Sequence, residues 1–459
     1  MPTLPRRHGS LAALATITLL VAPTAASAKD TVTTLPGFKA PGTPSSLNKV
    51  KVLKQGSAKA RNVLVLEPGT SAGAANFQPV AAALLKRLKG WQVWSIERRE
   101  NGLEDQSALD RVKRGQDTPQ QLFDYYLGWI GNANATGEHF EPKSTEQTSF
   151  ARGWGMNVAM QDLRRVIRSA GKGKRKVVLG GHSLGGSMAV AYATWDFKGR
   201  AGAKDLDGLV LIDGGSSSRK APTVKAAKAS LAELAEGSPF IDLTGLGLPW
   251  SAGVFNAIGS TLALKAPDER SILADWPLLP AELKAPFPVT NRAAYGYAID
   301  TQTGPKNLAL VQQHVGRLAS SGDPRDWVDG ELGGIRFAAA AFSGPVGMDG
   351  SSWYHPRRLS LDSSVVNGGV RTAAQKTLGV RTTRGRDVKV PIYAFETSLG
   401  KGRVLKGAQA LARRSKVRRR DVTLVDRSRT YAHIDPLSAD PRKNAFLKTV
   451  APFLQRIGR

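Results

Sequence analysis

An α/β fold, with a mostly parallel sheet flanked by helices and a large, mainly helical cap inserted late in the sheet, is predicted for this 459-residue chain by three observations. Short apolar β-prone runs (Val63 to Leu66, Val177 to Leu179, Gly208 to Asp213) alternate with helix-period segments, as in a sheet whose strands are buried on both faces. The alternation lapses from about Gly214 to Lys389 and resumes with Val390 to Glu396. Between the second and third of those runs, Gly181-His182-Ser183-Leu184-Gly185 sets a serine at a sharp turn from strand to helix.

Residues 1 to 28 carry Arg6-Arg7, an apolar run from Leu11 to Val21 and then Ala26-Ser27-Ala28, the order of a secretory signal cleaved after Ala28. The arginine pair is compatible with both the general and the twin-arginine route. Residues 29 to 60, rich in Pro, Gly, Ser and Lys, read as an extended lead-in, with regular structure beginning near Val63. A catalytic domain is expected over 61–215 and 388–459, with the cap at 216–387.

Within the first part, a helix from Phe77 to Leu88 with Asn76 as its cap follows the first strand, and Gly90 stops it. Trp91 to Ile96 alternates as a strand and ends in the charged cluster Glu97-Arg98-Arg99-Glu100. An insertion over 97–152 holds one amphipathic helix, with Asp117 as cap and Pro119 in its first turn. Helices then follow from Met156 to Ser169 and from Ser183 to about Phe197. The cap carries Trp250, Trp276, Trp327, Trp353, Tyr295 and Tyr297. A strand Val422 to Val425 and a helix from Asn444 to Ile457 end the chain, and no internal repeat is visible.

With no cysteine, disulfides, thiolate metal sites and a cysteine nucleophile are excluded, which suits an exported bacterial protein standing on its core alone. The net charge of +28 becomes +26 without Arg6 and Arg7, and such a field gathers anions. Its densest patch, Arg413 to Arg420, reads as a solvated helix end, with contact to an anionic wall polymer or membrane surface as the functional alternative. Basic residues lack interleaved aromatics, so no specific nucleic acid is expected. The histidines are dispersed without ligand spacing, so no metal and no cofactor are expected. Oligomeric state leaves no mark in the sequence.

A serine hydroxyl needs a base, and the base needs a carboxylate to fix its tautomer. Beyond His8, the histidines are His139, His182, His314, His355 and His433. Only His433 follows the final strand, where a loop can return its side chain over the strand ends. His182 reads as structural, His314 as helical, and both His314 and His355 as surface or packing residues. For the acid, Glu396 ends the penultimate strand and is the only carboxylate from Val388 to Arg420; Asp213, ending the strand after the serine's helix, is the alternative. Asp435 is expected to shape its own loop. An oxyanion needs two aimed donors. The Leu184 N–H is the first candidate, Thr70 in the Pro68-Gly69-Thr70 loop the second, and Ser71 the alternative to Thr70. A second match, Gly69-Thr70-Ser71-Ala72-Gly73, lies in a loop rather than on an elbow, since Pro68 parts it from its strand.

On Gly181 to Gly185, the Pro68-Gly69-Thr70 turn and the late His433, the chain resembles the α/β-hydrolase superfamily over about 60 to 215 and 388 to 459. The resemblance implies an acid after the penultimate strand, where Glu396 stands, and a lid where the cap stands. The Ser-Leu-Gly-Gly run and the aromatic cap are similar to those of lipases and esterases. That implies a secreted serine hydrolase cleaving carboxylic esters through an acyl-enzyme on Ser183. A peptidase or an acyltransferase with the same machinery, or a non-catalytic basic wall-binding protein on the same scaffold, are the alternatives.

Overall fold

The computed structural model describes residues 30–132, 134–215, 222–306 and 310–459. The signal-like segment 1–28 lies outside the described residues. Eight strands form the central sheet: β1 Thr31–Pro36, β2 Lys49–Gly56, β3 Asn62–Glu67, β4 Trp91–Glu97, β5 Lys176–His182, β6 Gly208–Ile212, β7 Ile392–Glu396 and β8 Val422–Asp426. Their order across the sheet is β1-β2-β4-β3-β5-β6-β7-β8. β1 and β2 pair antiparallel, as do β2 and β4, and every later pairing is parallel.

The strands β3, β4, β6 and β7 are buried along their whole length, as strands covered on both faces must be, with polar residues such as Gln92, Ser95 and Glu97 buried among the apolar ones. Helices α1 (Gln78–Leu85) and α2 (Met156–Ala170), with α3 (Leu184–Thr194), supply the early crossovers. One core layer joins α2 and α3 to one face of the sheet, and another joins α1 and the C-terminal helix to the opposite face. Between β6 and β7 stand α4 (Val224–Glu236), α5 (Ser251–Lys265), α6 (Asn291–Ile299) and α7 (Ile335–Ser343), with a hairpin of Arg317–Gly322 and Arg325–Val328. After β7, α8 (Arg403–Ser415) precedes β8, and α9 (Ala445–Gly458), capped by Asn444, ends the chain.

Four local expectations change. The lead-in is not an extended tail: β1 and β2 continue the sheet, and Val50, Val52 and Leu53 are buried. Lys49 and Lys51 are the exposed half of the β2 alternation, and Val50 and Val52 the buried half. Asn76 does not cap α1; it sits in the short 3-10 turn Ala74–Phe77 and is buried. The helix at Pro119 is capped by Thr118 through a capping box with Gln121, not by Asp117, whose carboxylate instead takes a hydrogen bond from Arg111 at 2.6 Å. Finally, the insertion over 97–152 holds two short helices, Ser107–Lys113 and Pro119–Phe123, where one was expected. Its Tyr126 and Phe140 pack with Trp250 and Trp353 of the cap in one hydrophobic cluster.

Candidate active site

Ser183 stands between β5 and α3 with φ 56° and ψ −121°, a conformation that costs a non-glycine residue on the order of 1–3 kcal/mol. Crowding explains the glycines around it. A Cβ on Gly185 would lie 1.9 Å from the Glu67 carbonyl oxygen, and one on Gly214 would lie 1.8 Å from that of Ser183. Those close approaches draw the ends of β3, β5 and β6 around one hydroxyl. Among the described residues, seven non-glycines have positive φ. Four are lysines, and the other three, Ser71, Ser183 and Asp213, all belong to this site.

His433 is buried and lines the same cavity as Ser183. Its Nδ1–H donates to Asp213 Oδ2 at 2.5 Å, which leaves Nε2 as an acceptor. The Asp213 carboxylate also accepts the Thr397 N–H at 2.8 Å and the Thr397 hydroxyl. Burial works to raise its pKa, but the His433 and Thr397 hydrogen bonds prevail and hold it below the usual carboxylate range. The partner of His433 is therefore Asp213, and the expectation of Glu396 is corrected. Glu396 is buried with its carboxylate on the N-terminus of α8, accepting the Val404 and Leu405 N–H groups at 3.4 and 3.2 Å. The first turn of a helix has orphan donors, and a buried carboxylate one loop upstream satisfies them. The Ser183 hydroxyl donates to no acceptor among the described residues, a looseness common where a substrate has yet to orient the groups.

His182 also serves this loop. Its Nε2–H donates to the His433 carbonyl at 2.8 Å, and burial, with the neighbouring His433, lowers its pKa to about 3, so the ring is neutral. Asp435 ties the other side: it accepts the Ala432 N–H at 2.6 Å and, from His314, both the N–H at 2.8 Å and Nδ1–H at 2.6 Å. His314 thus lies in an irregular stretch of the cap, not in a helix.

Above Ser183, the N–H groups of Thr70 and Leu184 find no backbone acceptor among the described residues. The Ser71 N–H is engaged, donating to His355 Nδ1 at 3.4 Å. This leaves Thr70 and Leu184 as the available pair of donors. The loop is held from behind by Arg98, a buried guanidinium donating to the Pro68 and Gly69 carbonyls at 2.8 Å each and to Glu100 at 2.7 Å. His355 is neutral, its pKa lowered by burial and then by Arg98, and its other ring nitrogen bonds the Ser360 hydroxyl at 3.1 Å. Sequence reading missed both Arg98 and His355. The signal for Arg98 was present: four consecutive charges directly after an apolar strand, a run that the chain buries.

The cavity has a volume of about 180 Å³ and runs from this loop into the cap between α5 and α6. Its walls are mainly aliphatic, with Leu243, Leu262, Leu273 and Ala298 among them. The cap tryptophans do not reach it; Trp250 and Trp353 are spent on the cap's own packing. Among the described residues no cluster of His, Asp or Glu could hold a metal ion.

Strand order, elbow, and a histidine returned to it after β8 define the architecture. The chain has the α/β-hydrolase fold. No family model matches this chain, and no curated protein matches it. Solved structures similar to it include a thermophilic esterase from Thermogutta terrifontis, at 11% identity and TM-score 0.40, over 94% of this chain and 100% of that one. A thioesterase domain from the curacin biosynthetic pathway is 13% identical with TM-score 0.41, over 93% and 99%. A monoacylglycerol lipase from Paleococcus ferrophilus is 12% identical with TM-score 0.36, over 89% and 99%. At such distances the activity has to be argued from this chain's own residues.

Proposed function

We propose that this α/β-hydrolase is an exported serine hydrolase that cleaves carboxylic esters of apolar acyl chains through an acyl-enzyme on Ser183. The observation that carries the reading is that the buried His433, hydrogen-bonded to Asp213, lines the same mainly aliphatic cavity as the strained serine. In the first half-reaction His433 Nε2 takes the Ser183 proton while Oγ bonds the ester carbonyl carbon. The carbonyl oxygen becomes an oxyanion held by the Thr70 and Leu184 N–H groups. The carbonyl then re-forms, and the departing alkoxide takes the proton from His433. Water repeats the sequence on the acyl-enzyme, releasing the acid and restoring the Ser183 hydroxyl. Asp213 stabilises the imidazolium in both halves.

An acyl chain moving from water into the cavity gains about 0.8 kcal/mol per methylene, about fourfold in kcat/KM. A p-nitrophenyl ester series should therefore rise with chain length until the cavity is filled, and Ser183→Ala should lose both turnover and fluorophosphonate labelling. A flat, low profile in the wild type, or labelling that survives Ser183→Ala, contradicts the reading. The aliphatic walls favour an acyl ester over a peptide or a polar acceptor alcohol. Export is supported by the residue order of 1–28, and the intact mass of protein recovered outside the cell should start at Lys29. The exposed cations at the C-terminal end of α8 and in the turn after it suit contact with an anionic wall or membrane surface.

A further inference from the structure

We infer that Asn256 and Tyr295 are positioning residues for the oxyanion loop, so that an acyl chain filling the cap cavity raises kcat as well as affinity. The inference rests on the reading that Ser183 attacks an ester held in this cavity.

The loop over Ser183 needs a hold from outside. Gly69 packs so closely on the nucleophile that a Cβ there would lie 3.2 Å from the Ser183 Cβ, and Ser71, two residues later, has φ 50°, a strained conformation for a serine. Residues 350–355 of the cap supply the hold. The Gly73 N–H donates to the Gly350 carbonyl at 2.9 Å, the Ser352 N–H donates to the Ser71 carbonyl at 2.8 Å, and Ala72 and Ser351 face each other as an antiparallel bridge. With the Ser71 N–H on His355, each residue from Ser71 to Gly73 is tied to this one strap.

A line of side chains links the strap to the cavity wall. The Tyr295 hydroxyl on α6 donates to Asn256 Oδ1 on α5 at 2.9 Å, and Asn256 Nδ2 donates to the Ser351 hydroxyl at 3.0 Å. The strap is also held by Asn101, which donates to the Ser351 carbonyl at 3.2 Å, and by Glu104, which accepts the Trp353 N–H at 2.9 Å. Neither of those two anchors lines the cavity. Asn256, Tyr295 and Ser351 all do, beside Thr70, Ser71 and Ser183.

The members of the line differ in exposure. Tyr295 and Ser351 are buried, at 5% and 1%, and Asn256 between them is partly exposed. Asn256 is therefore the link at which water competes for the amide. An acyl chain lying against it excludes that water, and a hydrogen bond in an apolar surrounding is electrostatically stronger than one in water. The strap, and with it the Thr70 N–H, is then held most firmly when a chain fills the cavity. Both half-reactions need that donor for the oxyanion, so the gain falls on kcat.

The test uses the full chain and the p-nitrophenyl ester series. In the wild type, kcat itself should rise with acyl length. Tyr295→Phe, which removes only the hydroxyl, should lower kcat about tenfold on the longest ester accepted, within the roughly 100-fold that a misplacement of about 1 Å costs. It should also abolish the length dependence of kcat while KM still falls as the chain lengthens. Ser351→Ala should do the same, and because both act through one line, the double variant should lose no more than the worse single one. Thr261→Val is the control. It removes a buried α5 hydrogen bond, between the Thr261 and Ser343 hydroxyls at 2.9 Å, that lies outside the cavity lining, and it should cost stability without altering the length dependence of kcat. The inference is overturned by a wild-type kcat independent of length, by a Tyr295→Phe profile like that of the wild type, by losses that multiply in the double variant, or by a Thr261→Val profile like that of Tyr295→Phe. If Tyr295→Phe does not fold, Ser351→Ala read against Thr261→Val decides. Should no ester turn over, the rate of fluorophosphonate labelling replaces kcat, since the phosphoryl oxygen meets the same donors. A slower rate in Tyr295→Phe then supports the inference, an equal rate overturns it alone, and absence of labelling overturns the serine-hydrolase reading with it.

Discussion

Two carboxylates compete, on paper, for His433, and one hydrogen-bond set separates them. Asp213 directly follows β6, the strand beside β5 and its elbow, and reaches Nδ1 at 2.5 Å; Glu396 ends β7, one strand further out, and its carboxylate is drawn to the bare N–H groups of α8. On the proposed mechanism, Asp213→Asn should lower kcat by about 10³- to 10⁴-fold, since the amide favours the wrong imidazole tautomer. Glu396→Gln should leave kcat nearly unchanged and cost about 1 kcal/mol of stability, through a weaker interaction with the helix terminus. Steady-state kinetics and urea unfolding of the two variants check the pair, and comparable losses of kcat in both would contradict the assignment. That the acid lay at Glu396 or Asp213 was legible from strand ends. Which of them it was depended on the distance of each strand from the elbow, and spacing along the chain does not encode it.

Loops rather than strands hold the donors, and here the supports come from far along the chain. Ser71 is held by His355 of the cap, and the His433 loop by His314 through Asp435. Replacing His355 by Leu leaves the Ser71 N–H without its acceptor, and a loop displaced by about 1 Å costs on the order of 100-fold in rate. The expected outcome is a lower kcat with little change in KM, a split that a general loss of folding would not produce. The His314–Asp435 pair makes a separate, pH-dependent contribution. Its hydrogen bond to Asp435 raises the His314 pKa against some burial, with Glu331 and Asp300 acting in the same direction. The stability it adds is full below the unfolded-state value of about 6.5 and is lost as pH rises through the raised folded value. Because the ring is partly exposed, the amount is about 1 kcal/mol or less. Melting temperatures of wild type and His314→Gln should differ at pH 6 and converge by pH 9; a gap that widens with pH would refute the pairing.

Buried ionisable groups set the pH response of the whole molecule. The imidazoles of His182 and His355 are held neutral by burial, the former down to about pH 3, so the unfolded chain binds more protons than the folded one below about 6.5. Glu67 and Glu97 have the opposite sign. Burial raises them to about 8 and about 7, so the folded chain binds more protons above the ordinary carboxylate value of 4.5. Burial raises Glu104, Asp162, Asp349 and Asp362 as well, so the buried carboxylates outnumber the two histidines and stability falls as pH rises above about 4.5, at about 1.4 kcal/mol per pH unit for each uncompensated group. Urea unfolding from pH 3.5 to 8.5 should show stability falling above about pH 4.5, and stability still climbing at pH 8 would contradict it.

The order of residues alone determined the alternating sheet, the elbow serine and the late histidine, because strand period, turn glycines and chain order are local or sequential properties. Tertiary structure decided the acid and the supports of the loop at Thr70. Those depend on which groups, as far apart along the chain as Ser71 and His355, come within hydrogen-bond distance once the chain has folded, and no period or motif records that.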